Sequence, residues 1–291
     1  MNPFSLAKRI NRPLILDGAM GSLLQQMKVK SKGSLWMSYA NIEDPGKVYS
    51  IHKKYIQAGA DIITTNTFRT NPVPLKEFRK LKSERLVEAS VKLAIKAKGN
   101  LPVLVAGSNA PAEDCYQKER TITKKELTYN HHKHIDLLIS AGCDFILNET
   151  QSHFDEIKII SKYCKESNIP FVISFFFDSN LRLLSGEGLF DVINFVLESE
   201  PIAIGFNCIM FKTFKKALTK INTGYNWGFY INCGSGNYTD EIIKCAVSPE
   251  QYLTDVRQSL QKKPSFIGAC CGSSPLHIKE IKSFLDGRIK N

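Results

Sequence analysis

The chain has 291 residues, 43% hydrophobic and 23% charged, a balance that allows a substantial globular core and excludes a disordered, collagen-like or coiled-coil polypeptide. Lysine and arginine outnumber aspartate and glutamate by 39 to 28, giving a formal charge of +11. The lysines are spread through nearly every helical segment, so they read as a solvated face and not as a nucleic-acid-binding surface.

Taken in chain order, eight short apolar or β-rich segments recur: LILDGA (14–19), DIITTNTF (61–68), VLVAGSNA (103–110), FILNET (145–150), FVISFFF (171–177), AIGFNC (203–208), WGFYINCG (227–234) and FIGACCG (266–272). Their apolar side chains run together, which predicts strands buried on both sides. The loop after the first, from Met20 to about Asn41 with SKGSLW inside it, is long enough to cover a site. Amphipathic segments predict helices over 43–58, 76–99, 123–142, 153–167, 187–199, 209–221, 248–263 and 274–286, several ending near Gly or a polar turn.

Eight β/α units of this size predict an α/β fold, a single (β/α)8 TIM-type barrel domain over 1–291, with its active site at the C-terminal end of the strands. An open doubly wound sheet is the alternative. The amino terminus lacks the pattern of a secretory leader, and no stretch of about 18 apolar residues spans a bilayer. Eight unevenly spaced cysteines offer no disulfide framework. The expectation is a cytoplasmic protein with reduced thiols and no membrane insertion.

Strand ends separate the cysteines. Cys208 ends the sixth strand, Cys270 and Cys271 end the eighth, and barrel closure can bring the two ends to one rim. A thiolate cluster there suits a soft metal such as zinc; buried apolar cysteines are the plain alternative. Adjacent cysteines point to opposite faces of a strand, so the backbone must turn for both to share an ion. Cys233, at the end of the seventh strand, is the main competitor. Cys115 falls in a loop, Cys143 at the opposite rim, and Cys164 and Cys245 on helix faces. The histidines compete poorly: His131 and His134 read as surface residues of the third helix, and His277 as a rim residue.

The ordered motifs LDGAMGS (16–22), TTNTF (64–68), NET (148–150), SGEGL (185–189), FNC (206–208), CGSGN (233–237) and GACCGSSPLHI (268–278) resemble those of the zinc-dependent homocysteine S-methyltransferase family, which includes the homocysteine-binding module of cobalamin-dependent methionine synthase. The resemblance implies a Zn2+ cofactor held by Cys208, Cys270 and Cys271, with the substrate sulfur in the fourth place. It also implies that Asp17 and Glu149 hold the homocysteine ammonium, and that N–H groups around Gly18 and Ala19 receive its carboxylate. Ala269 stands where the family has glycine, and Ile209 where it has a small or polar residue.

By position, Asn66 is expected to organise the pocket, Ser174 is a lesser hydrogen-bond donor, and the glycine-rich CGSGN loop could cradle an anion. The expected partners are homocysteine and a small methyl donor, with S-methylmethionine or S-adenosylmethionine favoured over methylfolate and betaine as a further candidate. With 291 residues taken up by the barrel, the expectation is a free-standing enzyme without methylfolate or cobalamin modules. Oligomer formation is compatible with the sequence, and a non-catalytic zinc- and homocysteine-binding barrel is the competing function.

Overall fold

A computed structural model describes residues 2–221, 224–235 and 243–287. The barrel strands are β1 Leu14–Ile15, β2 Ile62–Thr64, β3 Leu104–Asn109, β4 Phe145–Gln151, β5 Phe171–Phe175, β6 Ala203–Asn207 and β7 Trp227–Ile231. A small antiparallel pair, β8 Gly234–Ser235 and β9 Lys244–Cys245, precedes the last barrel strand, β10 Phe266–Ala269. The eight barrel strands are parallel and follow chain order from β2 to β7, then β10, then β1. A bridge between Leu16 and Ile62 joins β1 to β2, and the Asp17 N–H donates to the Ile62 carbonyl at 2.9 Å. The sheet therefore closes, and the open-sheet alternative falls.

Strand residues alternate between two cores. Leu14, Leu16, Ile62, Phe145, Leu147 and Val172 point into the barrel, where they pack with Ala203, Tyr230 and Phe266. Ile15, Ile63, Val105, Ile173, Phe206 and Phe229 face outward beneath the helices. Both faces are apolar, which explains the near-continuous hydrophobic runs in the sequence. Phe4 packs against Phe145 and Phe266 in the inner core. Toward the C-terminal ends of the strands the inner cluster gives way to polar residues such as Asp17, Asn66, Ser108 and Asn207, so the barrel is filled by apolar side chains at one end and lined by polar ones at the other.

The principal helices after the strands are Pro45–Ala58, Ser83–Lys98, Lys124–Ser140, Phe154–Glu166, Leu189–Leu197, Phe211–Leu218, Pro249–Leu260 and Pro275–Leu285. The helix expected over 76–99 starts only at Ser83. Pro74–Glu77 forms a 3-10 turn, and Leu75 and Phe78 pack in a small separate core with Leu35 and Leu86, which bends the chain away from a continuous helix. Cys245, expected on a helix, is exposed on β9 because its segment pairs back onto Gly234 and Ser235.

The histidine expectation is also corrected. His131 and His134 are fully buried. His134 lies 2.8 Å from Thr70 Oγ1 and 2.9 Å from Asn109 Oδ1, and His131 Nε2 lies 2.6 Å from Glu156 Oε1. Their partners come from other β/α units, so helical periodicity alone cannot show that this face is internal. His277 is buried as well; its Nδ1 accepts from the Ser274 N–H at 3.1 Å, and it caps the last helix.

Candidate metal centre and substrate pocket

A cavity of about 560 Å³ opens over the C-terminal ends of the strands. The long first loop covers it: Gly33, Ser34 and Trp36 are in its wall, and the Trp36 ring meets Phe68 edge-on at 6.4 Å. Asn66 ties this cover to β2. Its Nδ2 donates to the Met37 carbonyl and to Asn41 Oδ1, both at 3.0 Å, while Asn41 Nδ2 donates back to the Asn66 carbonyl at 2.9 Å.

Cys208, Cys270 and Cys271 meet at this cavity, with all three sulfurs within 4.8 Å of one another. The turn demanded by adjacent cysteines is present: β10 ends at Ala269, and Gly272 takes φ +82°. Cys208 itself adopts φ +53° where it leaves β6, which is uncommon for a side-chain-bearing residue. Gly268 cannot be replaced freely, since a Cβ there would lie 2.8 Å from Leu16 Cβ and 2.9 Å from the Asp17 carbonyl oxygen. Ala269, by contrast, turns its methyl group into the outer apolar core with Ile267, where it is accommodated. Ile209, the other departure from the family pattern, is buried.

The Cys271 sulfur is 4.0 Å from each of the other two. Two ligands of a tetrahedral site with bonds of about 2.3 Å stand about 3.8 Å apart, so this spacing suits a shared ion. The Cys208 and Cys270 sulfurs are in contact as well, so all three converge on one point. As ligands all three would be deprotonated, reduced thiols. Burial, and next the charge of Glu149, pushes the Cys271 thiol up to about 11, so without a cation it stays protonated near neutral pH. Three soft donors at one point fit a thiophilic metal. Cys233 is buried outside the cluster, with its thiol directed at the Ile231 carbonyl.

The two carboxylates face the same cavity. Asp17 follows β1 and accepts from the Thr64 N–H at 2.8 Å and the Thr64 hydroxyl at 2.9 Å. Glu149 lies where the β4–β5 register shifts between Asn148 and Gln151, and Thr150 beside it has φ +58°. Such a bulge re-aims a side chain. The Ser108 hydroxyl donates to Glu149. Asn207 braces the bulge: its Oδ1 accepts from the Thr150 N–H at 2.9 Å and its Nδ2 donates to Thr150 Oγ1 at 2.8 Å. Burial raises Asp17 to about 8, with the charge of Glu149 adding to the rise, and burial raises Glu149 to about 7.

Both values exceed the roughly 4 of an unfolded carboxyl group, so the folded chain keeps protons that the unfolded chain releases. This contribution to stability is complete below about pH 4 and is lost as pH rises through about 7 and 8. The thermal midpoint of ligand-free protein should therefore fall from about pH 5 to about pH 8.5. Glu149→Gln should flatten part of that fall; an unchanged slope would assign it to other groups.

The remaining expected site residues are placed unequally. The Ala19 N–H donates to Ser273 Oγ at 2.9 Å, so of the two amides expected to meet the carboxylate only that of Gly18 is uncommitted among the described residues. Ser174 lies outside the pocket wall and donates to Asn207 Oδ1 at 2.7 Å. The CGSGN motif falls partly outside the described residues. Sequence reasoning missed Thr64, Ser108, Ser273 and Tyr230, although Thr64 and Tyr230 lie on segments already recognised as strand ends.

Comparison with known proteins gives one consistent result. A family model described as homocysteine S-methyltransferase matches residues 14–285. The chain is 25% identical over 308 residues to homocysteine S-methyltransferase YbgG of Bacillus subtilis, covering 98% of each chain. It is 25% identical over 295 residues to homocysteine S-methyltransferase of Escherichia coli, covering 93% of this chain and 94% of that one. Among solved structures it resembles the metallated form of the homocysteine methyltransferase MmuM of Escherichia coli in fold, with a TM-score of 0.79, 24% identity, and coverage of 96% of this chain and 99% of that one.

Proposed function

Since the chain belongs to the homocysteine S-methyltransferase family, we propose that it transfers a methyl group from S-methylmethionine or S-adenosylmethionine to the thiol of homocysteine, forming methionine, with Zn2+ held by Cys208, Cys270 and Cys271. The observation that carries this reading is the meeting of three cysteine sulfurs with Asp17 and Glu149 in one pocket. A soft donor set beside paired carboxylates suits a small amino acid whose side chain ends in sulfur. When bound, the ion supplies the Lewis acidity that lowers the pKa of an incoming thiol.

The chain's own groups do the positioning. Asp17 and Glu149 hold the substrate ammonium, and the Gly18 amide meets its carboxylate. Asn66 keeps the first loop over the pocket, so the nucleophile and the donor methyl are aligned with little water between them. Among the described residues the wall carries five carboxylates, Asp17, Glu77, Glu113, Asp114 and Glu149, against the single guanidinium of Arg69. With the aromatic faces of Trp36, Phe68 and Tyr116 beside them, they favour a cationic sulfonium donor over anionic methylfolate.

We read residues 1–291 as one homocysteine-binding barrel domain. Among the described residues no helix is long and apolar enough to cross a membrane. The need to keep three ligand thiols reduced supports a cytoplasmic setting.

The test is a donor panel with reduced, zinc-loaded protein and homocysteine, read as methionine formed. S-methylmethionine or S-adenosylmethionine should support turnover well above betaine and methyltetrahydrofolate. Preference for either of the latter would replace the donor assignment. Zinc and homocysteine binding with no methionine from any donor would leave a binding module and overturn the enzymatic reading.

A further inference from the structure

Tyr230 is an inward-facing residue of β7, in register with Asn207 of β6 and Gly268 of β10. Its hydroxyl is buried beside Glu149, Asp17 and Ser174 but meets none of them in good hydrogen-bond geometry, and the residue lines the pocket. A buried hydroxyl without a partner is costly, and in a pocket wall it marks a place that an incoming polar group can satisfy. Its neighbours are already engaged: Thr64 donates to both oxygens of Asp17, Ser108 donates to Glu149, and Ser174 donates to Asn207.

A primary ammonium carries three N–H donors, and the two carboxylates offer it two separate acceptor groups. We propose that the Tyr230 hydroxyl oxygen accepts the third N–H, with its own proton turned toward Glu149, and so makes the pocket selective for an unmethylated amino group. The inference rests on the homocysteine reading above. It identifies Tyr230 as a substrate-binding residue that determines specificity, distinct from the metal-holding groups.

The test compares wild-type protein with Tyr230→Phe, which keeps the packed ring, using homocysteine and N-methylhomocysteine. For homocysteine, the KM of Tyr230→Phe should rise about 10- to 100-fold, the range for losing a hydrogen bond to a charged group. kcat at saturation should change much less, and zinc content should match wild type. N-methylhomocysteine has one N–H fewer, so wild type and Tyr230→Phe should use it with nearly equal KM. Wild-type protein alone should prefer homocysteine over its N-methyl form, which tests the inference even where Tyr230→Phe does not fold. An unchanged homocysteine KM in Tyr230→Phe, or an equal loss for both substrates, would overturn the role of the hydroxyl while leaving the homocysteine reading intact. Failure of wild type to methylate homocysteine would remove that reading and this inference with it.

Discussion

Cys271→Ser is expected to lower bound zinc from about one ion per chain to a small fraction of that and to reduce methionine formation by more than about 1000-fold, because a catalytic metal supplies several kcal/mol to such a reaction. Cys271 belongs to the sulfur cluster, and its thiol is raised by burial and by Glu149. Without an ion it is a poor thiolate; with only two cysteines left, the donor set is incomplete. Cys208→Ser and Cys270→Ser should behave alike. Cys233→Ser should keep zinc, since its sulfur lies outside the cluster. Metal analysis on reduced protein, paired with the methionine assay, decides the matter. Zinc and turnover retained in Cys271→Ser would remove the metal assignment.

The second large effect is expected at the carboxylates. Glu149→Gln and Asp17→Asn should each raise the homocysteine KM by about 100-fold or more, because a charge buried in a pocket loses several kcal/mol when its counter-charge is removed. Zinc content should stay near wild type, since neither group belongs to the sulfur cluster. The pH dependence has a definite sign. In the ligand-free protein the pair holds protons near neutrality, with Glu149 raised to about 7 and Asp17 to about 8. An ammonium binds their ionised forms, so binding must release protons below those values and strengthen as pH rises through them. Methionine, which has the same ammonium but no thiol to ionise, isolates this effect in calorimetry across buffers of different ionisation enthalpy. Unchanged homocysteine KM in both variants, or no proton release with methionine, would displace the carboxylates from the ammonium.

Much of the site was legible before any coordinates. Cys208, Cys270, Cys271, Asp17 and Glu149 all lie at the ends of segments whose apolar runs identify them as strands, and a closed barrel turns strand ends into one rim. The same local logic failed where a residue's surroundings come from distant units. His131 and His134 looked external because their helix is rich in polar residues, yet they are buried against Asn109, Thr70 and Glu156. The helix begins at Ser83 and not at 76 because the small core of Leu35, Leu75 and Leu86, which helical propensity cannot register, turns the preceding segment.

While the joint assignment of Cys208, Cys270, Cys271, Asp17 and Glu149 to one site came from the family resemblance, the sequence by itself determined the number and order of the β/α units and the lie of these five residues at strand ends. These depend on hydrophobic periodicity and on residue chemistry at segment ends, both of which are local. Only the tertiary structure decided that Asn207 braces the Glu149 bulge, that Ser273 takes the Ala19 amide, and that the Tyr230 hydroxyl is buried beside the two carboxylates. Each of these joins residues about 50 or more positions apart in the chain. Hydrogen-bond satisfaction across such separations is set by barrel closure and strand register, and no local pattern of residues records it.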